Sequence, residues 1–266
     1  MKFDKPLVLP IKKIIKENSR VKSFYFQYPF SAKPGQFIMV WIPGFDEKPF
    51  GVIIKNKNSF LISAAAVGES TKHLHQMKAG ERLGIRGPYG TYFKLPEKKI
   101  KITLIAGGYG MAPLAHLAKF AADKGYRVDI LLGAKTKTEF LKYNWLKNKK
   151  IRLFLATDDG STGFKGFVTD LFTEYLKKNK PVQVYFVGPE IMEKKLADIC
   201  YKNKLPFELS VERYIKCGIG VCGQCCVDPH GFRMCVEGPV INHRRLKQIS
   251  EFGKYKRTAS GKVVNL

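Results

Sequence analysis

The sequence predicts a multidomain chain that mixes α+β and α/β architecture. An antiparallel β-barrel comes first, then a doubly wound parallel sheet, then a small C-terminal cysteine module with a basic tail. Three observations carry this. Residues 1–97 hold short apolar runs separated by turn residues, with one helical stretch. Residues 98–208 alternate continuous apolar runs with helical segments. Residues 209–240 hold five of the six cysteines, four of them spaced C-x4-C-x2-C-x9-C. The tail, residues 241–266, carries His243, Arg244, Arg245, Lys247, Lys254, Lys256 and Arg257, and is expected to pack as a short helix and strand or to fray.

In the first part, residues 7–15 and 21–27 read as strands, the second alternating through Phe24 and Phe26. Pro34-Gly35 turns the chain into the apolar stretch 36–42. Residues 52–54 and 60–66 are strands on either side of Lys57-Asn58-Ser59. Residues 70–78 are the one helix, and Gly87-Pro88-Tyr89-Gly90 closes the region as a turn.

In the second part, residues 100–106 (IKITLIA) form a strand covered on both faces, with Lys101 near its exposed start. Residues 128–132, 151–156 and 182–187 are strands of the same kind. Helices are expected near 112–124, 137–147, 168–178 and 190–202.

Glycine turns follow two of these strands. In AGGYGMAP, Gly107, Gly108 and Gly110 let a phosphate approach the backbone, and the next helix offers it free N–H groups. An ordinary strand-to-helix turn is the plain alternative, and the strand–turn–helix context favours the phosphate reading. VGPEIM, with Gly188, leaves another strand at the carboxyl edge where ligands of open α/β sheets sit. In ATDDGSTGFKGFVTD, Asp158 and Asp159 can accept from ribose hydroxyls. Equally, Asp159-Gly160 is a turn and Thr169 or Asp170 a helix cap, and both readings stay open. In the first part, Lys48-Pro49-Phe50-Gly51 opens a strand. Val67-Gly68-Glu69-Ser70-Thr71 opens a helix whose N–H groups and hydroxyls can take a pyrophosphate, though as isolated strings both read as caps.

Cys217, Cys222 and Cys225 match the plant-type spacing of a 2Fe–2S ligand set, with Cys235 as the fourth. Gly218, Gly220 and Gly223 allow the tight turns that bring N–H groups near sulfur. Zinc competes, but zinc sites usually pair two C-x2-C dyads or add a His dyad, and only His230 lies nearby. Reduced structural thiols are the remaining reading. Cys226 is a spare beside a ligand, and Cys200 a buried small hydrophobe in a helix.

The formal net charge is +25, with Lys and Arg scattered and no nucleic-acid motif. A lysine-rich solvated surface that attracts an acidic protein partner or phosphate-bearing cofactors follows, and nucleic acid is not expected. No apolar run is long enough to span a bilayer, and MKFDKPLVLP lacks a signal-peptide pattern, so a cytoplasmic location is expected. No acid–base dyad is evident and no catalytic residue is assigned.

Seven motifs stand in one order: PGQFIMVW, VGEST, GPYGTYF, GGYGMAP, ATDDGS, VGPEIM and CGIGVCGQC. With them the chain resembles the ferredoxin–NADP reductase superfamily over nearly its whole length. Within it, the cysteine module resembles the electron-transfer subunits of dihydroorotate dehydrogenase B. The resemblance implies an FAD-binding barrel over residues 1–97, an NAD-binding domain over 98–208 and a 2Fe–2S module over 209–240. It further implies a separate FMN-containing dihydroorotate dehydrogenase catalytic subunit, joined in a heterotetramer of pyrimidine biosynthesis. FAD would lie on Lys48, Pro49, Phe50, Gly51, Val67, Gly68, Ser70 and Thr71. NAD would lie on Gly107, Gly108, Gly110, Asp158 and Gly188.

One departure stands out, since the family's flavin motif normally reads Arg-Pro-x-Ser or Arg-x-Tyr-Ser/Thr. Lys48 replaces the Arg fork with a point charge, and Gly51 offers backbone in place of a hydroxyl. The Ala64-Ala65-Ala66 stretch also removes larger side chains that often lie by the flavin. NAD is implied over NADP by the family alone, while Lys135 and Lys137 are suited to attract a 2′-phosphate. The same layout is similar to small subunits of sulfhydrogenases and of NADH-dependent ferredoxin:NADP oxidoreductases, which differ mainly in partner. A zinc-bearing nucleotide-sensing binding protein is the alternative of another class.

Overall fold

The computed structural model describes residues 5–141 and 148–266. The first part contains β1 (Leu7–Pro10), β2 (Lys13–Lys16), β3 (Val21–Phe26), β4 (Phe37–Trp41), β5 (Glu47–Asn56), β6 (Ser59–Ala65), α1 (Glu69–Gln76) and β7 (Arg82–Tyr89). Its strands form one antiparallel sheet in the order β1-β7-β4-β5-β6-β3-β2. Consecutive strands β1 and β2 thus lie at opposite edges. The switch falls between neighbours: Ile11 N–H donates to Glu81 O at 2.8 Å on the β7 side, and Lys12 N–H to Tyr25 O at 2.7 Å on β3. One strand expected over 7–15 is therefore two, because its residues serve both edges of a sheet curled on itself. Alternate side chains, among them Phe24, Phe26, Ile38, Val40, Phe60 and Ile62, fill the interior.

One other expectation changes here. Gly87-Pro88-Tyr89 is not a turn but the end of β7, whose Leu83 and Ile85 face the barrel core. Charged Arg82 and Arg86 and the glycines hid that strand from pattern reading. The strand expected to open at Lys48 and the apolar run 52–54 are one strand, β5, with Lys48 and Pro49 on its paired backbone opposite Val40 and Met39.

The second part contains β8 (Lys101–Gly107), α2 (Met111–Asp123), β9 (Arg127–Ala134), β10 (Ile151–Thr157), β11 (Phe164–Lys165), α3 (Val168–Lys178), β12 (Val184–Val187), α4 (Glu190–Lys202) and β13 (Phe207–Ser210). The helix expected over 137–147 is a 3-10 turn at Lys137–Glu139, and its residues 142–147 lie outside the described residues. Phe167 stands at the N-cap of α3 with no side-chain cap bond, so Thr169 and Asp170 are not the cap that was expected. They lie inside the first turn, where the carboxylate of Asp170 complements the helix dipole.

The third part contains β14 (Cys226–Val227), β15 (Phe232–Arg233), β16 (Val240–Asn242), α5 (His243–Leu246), β17 (Tyr255–Arg257) and β18 (Val263–Asn265). β16 returns antiparallel beside β13, giving the sheet order β11-β10-β9-β8-β12-β13-β16. The cysteine loop is therefore an excursion from the edge of the parallel sheet, and β13 runs across the boundary expected at 208/209. The tail is packed: the Asn242 side chain accepts the N–H groups of Arg244 and Arg245 at the start of α5, and β17 pairs with β18.

Three apolar clusters hold the parts together. One fills the barrel. A second packs α2 between the parallel sheet and the outer barrel residues Tyr25, Ile53 and Leu61. The third joins α3 and α4 on the opposite face to Cys225, Val227, Met234 and Cys235 of the cysteine module, and to Phe37 and Met39 of the barrel. Among the described residues, no helix is long and apolar enough to cross a membrane.

Candidate functional site

The cysteine loop is built on left-handed glycines. Gly218, Gly220 and Gly223 have φ of +74°, +79° and +70°, a region costly for residues with a Cβ. At Gly218 a Cβ would also stand 2.8 Å from Met39 Cγ, so the loop rests directly on the barrel. The four thiols fall into two hydrogen-bonded pairs, Cys217 with Cys222 and Cys225 with Cys235. Burial raises the Cys217 thiol, but the N–H groups of Cys222, Ile219 and Val221 together bring it down to about 6. The Cys235 thiol, donating to Cys225, lowers Cys225 to about 7 against its burial, and the Cys235 N–H lies 3.4 Å from the same sulfur. Cys235 itself is pushed up by that bond and by burial. The thiols are not gathered about a single point: among the described residues no three His, Cys, Asp or Glu side chains could hold one ion. Two sulfur pairs with backbone N–H groups aimed at them fit two irons, each held by two thiolates. Cys226 belongs to neither pair. Cys200 is fully buried, which pushes its thiol up to about 12.

At the other end of the site, sequence order reverses between β8 and β12, and the glycine turns leaving these strands touch. A Cβ on Gly110 would lie 2.2 Å from Val187 O. One on Gly107 would lie 2.6 Å from Met192 Sδ, and one on Gly188 2.4 Å from Met192 Cε. Close packing thus demands glycine at 110, against backbone, and at 107, where the Pro189 ring also stands 2.9 Å away, whereas at 188 the end of the Met192 side chain can give way. Gly108 differs, with φ +54° and nothing within 4 Å of its Cβ position, so its backbone is open to a ligand ahead of α2. Asp158 is exposed just beyond β10 and donates its N–H to Ala134 O at 3.1 Å. Asp159 is spent on the turn: its carboxylate accepts Ser161 N–H at 2.9 Å, and the Ser161 bonds hold it below its usual range.

The barrel rim lies between these two ends. Gly51 on β5 faces the first turn of α2, where its Cβ position is 3.7 Å from Pro113 Cβ. His116 on α2 donates Nδ1–H to Val52 O at 3.1 Å. On the other side of β5, Pro49 pairs with Met39, the residue that touches Gly218. Lys48 pairs with Asp46, and its ammonium lies 5.4 Å from the Tyr214 ring. Phe50 stands opposite Ile38 on β4. At the start of α1, the Thr71 hydroxyl accepts the N–H groups of Val67 and Gly68, both at 3.0 Å. That hydroxyl is engaged by the helix itself, while Ser70 beside it makes no such bond among the described residues.

Sequence reading missed three groups here. Arg86 on β7 donates to Cys217 O at 3.3 Å and pairs with Glu47. Glu193 is fully buried, accepts Gly188 N–H at 3.2 Å, and is raised far above the carboxylate range by that burial. Arg213 is buried between Glu190 and Glu251. None belongs to a motif, and burial of charge leaves no periodic signal.

Comparison with known proteins bears on all three parts. The family described as the iron–sulfur cluster binding domain of dihydroorotate dehydrogenase B matches residues 212–247. The oxidoreductase NAD-binding domain family matches residues 104–198. A relative from Methanocaldococcus jannaschii, named probable dihydroorotate dehydrogenase B (NAD(+)), electron transfer subunit, is 48% identical over 98% of this chain and 99% of its own. One of the same name from Methanothermobacter thermautotrophicus is 43% identical over 97% of each. The solved structure of an NADH-dependent reduced ferredoxin–NADP oxidoreductase overlays with a TM-score of 0.81 at 26% identity, covering 95% of both chains. The FAD/NAD-binding domain of a nitric oxide dioxygenase from Vibrio cholerae shares the fold, with a TM-score of 0.67 at 16% identity over 77% of this chain and 99% of its own.

Proposed function

This chain belongs to the family of dihydroorotate dehydrogenase B electron-transfer subunits, and we propose on that premise how its residues conduct electrons. It is the NAD-linked oxidoreductase subunit that works with a dihydroorotate dehydrogenase catalytic chain, using a 2Fe–2S cluster, FAD and NAD. In the proposed assembly the partner holds FMN, oxidises dihydroorotate to orotate for pyrimidine biosynthesis, and forms a cytoplasmic heterotetramer with this chain. We propose the division 1–97, 98–208, 209–240 and 241–266, with β13 carrying the parallel sheet two residues past the second boundary.

The observation that carries the reading is the position of β5. Its rim residues stand between α2, which follows the glycine turn, and β4, which touches the cysteine loop. A flavin exchanges electron pairs with nicotinamide and single electrons with a cluster, so it belongs between them. In this proposal Lys48, Pro49, Phe50 and Gly51 hold the flavin at that rim, with Val67, Gly68, Ser70 and Thr71 at its pyrophosphate. Gly108 offers open backbone to the dinucleotide, supported by Gly107, Gly110 and Gly188, and Asp158 accepts from a ribose hydroxyl. Cys217, Cys222, Cys225 and Cys235 hold the cluster, and the exposed Cys222 beside Val221, 73% exposed, marks the side turned to the partner.

Anaerobically purified protein should contain iron, labile sulfide and FAD, and should oxidise NADH in preference to NADPH. Cys222→Ser should abolish the paramagnetic resonance of the reduced cluster while leaving FAD bound. Absence of any iron signal in the reduced parent protein, or loss of flavin together with the cluster, would sink the relay. A second reading, the same conduit serving a ferredoxin:NADP or sulfhydrogenase-type partner, is favoured by the 0.81 overlay. Identifying the chain that co-purifies from native cells separates the two.

A further inference from the structure

The amino ends of β8, β9 and β10 lie side by side, at the edge of the parallel sheet opposite the glycine turns. A cavity of about 480 Å³ opens there, lined by Lys101, Arg127, Asp129, Lys149, Lys150, Arg152 and Asn179. Among the described residues, five cations and one carboxylate give this wall an excess of +4. The carboxylate is already committed. Asp129, only 1% exposed, accepts Arg152 Nε and Nη2 at 2.8 and 2.6 Å and Tyr175 OH at 2.6 Å. Lys101 is 3.7 Å from it and donates to Asn179 at 2.8 Å.

Arg127, Lys149 and Lys150 have no carboxylate within ion-pair distance among the described residues. A further convergence lies at Gly125, two residues before β9. Lys150 Nζ is 3.9 Å and Lys99 Nζ 4.0 Å from the point where a Cβ would stand, so two ammonium groups converge over bare backbone. Cations drawn together in a concavity repel unless an anion neutralises them. Among the described residues none that lines the cavity is aromatic or apolar, and the chemistry these residues offer is that of charge. One Arg fork with several Lys point charges suits phosphate oxygens.

We propose that this cavity is a binding site for an oligophosphate, held through its phosphates by Arg127, Lys149, Lys150 and Lys99. It is separate from the dinucleotide edge: β8 runs from Lys101 at one site to Gly107 at the other, roughly 20 Å at strand rise. The occupant is a free oligophosphate or the phosphate chain of a nucleotide.

The test is calorimetric titration of the cofactor-loaded protein with sodium tripolyphosphate and, separately, with ATP, each against sodium chloride of matched ionic strength. Saturable one-to-one binding of tripolyphosphate is expected, weakening as salt is raised. Arg127→Glu with Lys150→Glu should lower that affinity by at least about tenfold, and Lys149→Gln with Lys150→Gln should lower it by less. NADH turnover should be unchanged in both. ATP binding equal to tripolyphosphate assigns recognition to the phosphate chain alone, and tighter ATP binding assigns the site to nucleotides. Binding that survives the charge reversals, as it would at the dinucleotide edge, overturns the proposal. So does the lack of saturable binding, or binding of polyglutamate in its place, which would mark the wall as a docking face for an acidic protein.

Discussion

His116 is 4% exposed within α2, and its Nδ1–H bond to Val52 O ties the nucleotide domain to the barrel. Burial, more than the nearby Lys119 charge, keeps the ring neutral down to about 4. The unfolded chain takes up this proton near 6.5. Between those values the unfolded state binds more protons than the native one, so stability rises with pH across the window and is lost as pH falls through it. The full difference is roughly 3 kcal/mol. Thermal unfolding between pH 7 and 4.5 should therefore fall more steeply in the parent protein than in His116→Gln. Parallel slopes would show that the imidazole does not carry the effect.

The two glycine turns show an element-scale constraint that single residues hide. Gly110 and Gly108 lie in one turn, yet a methyl group at Gly110 collides with Val187 O, while at Gly108 it meets only open space at a left-handed φ. Gly110→Ala must push β12 away from β8 and should cost about 3 kcal/mol, with weakened NADH binding. Gly108→Ala should cost only about 1 kcal/mol, the strain of its φ. Denaturant unfolding of the two variants, with NADH titration, measures both. Equal costs would mean that the turns are not held in contact. The same scale explains the misread elements. β7 carries glycine, proline and arginine because its neighbours β1 and β4 supply the pairing, and pairing is invisible along one strand.

Across the molecule, one ionic network fastens the cysteine module to the parallel sheet. Arg213 donates to Glu190 at the start of α4 at 2.6 Å and to Glu251 in the tail at 2.8 Å. Glu251 also accepts Asp228 N–H at 2.9 Å beside β14, and Arg257 Nη1 at 2.9 Å. The Arg213 and Glu251 side chains are 3% and 1% exposed, so removing the guanidinium takes the cation from the buried Glu190 carboxylate and leaves Glu251 with Arg257 alone. Arg213→Met should destabilise the chain by about 4 kcal/mol and release iron on mild heating before flavin is lost. Retention of iron at an unchanged unfolding temperature would show that the apolar cluster around Cys225 and Met234 suffices to hold the module.

What the sequence by itself determined lies in local chemistry: the parallel strands, α2 and α4, the two glycine turns, and the four cysteines at their spacing. These signals are contiguous, because a thiolate loop or a strand–turn–helix unit is written within about 20 residues. Only the tertiary structure decided that β1 and β2 close opposite edges of one barrel, and that β16 returns beside β13. It also decided that β5 stands between nucleotide helix and cysteine loop, and that Glu193, Arg213 and Asp129 are buried. Each depends on contacts between distant residues, where packing and desolvation, not local pattern, set which partner a backbone or charge receives.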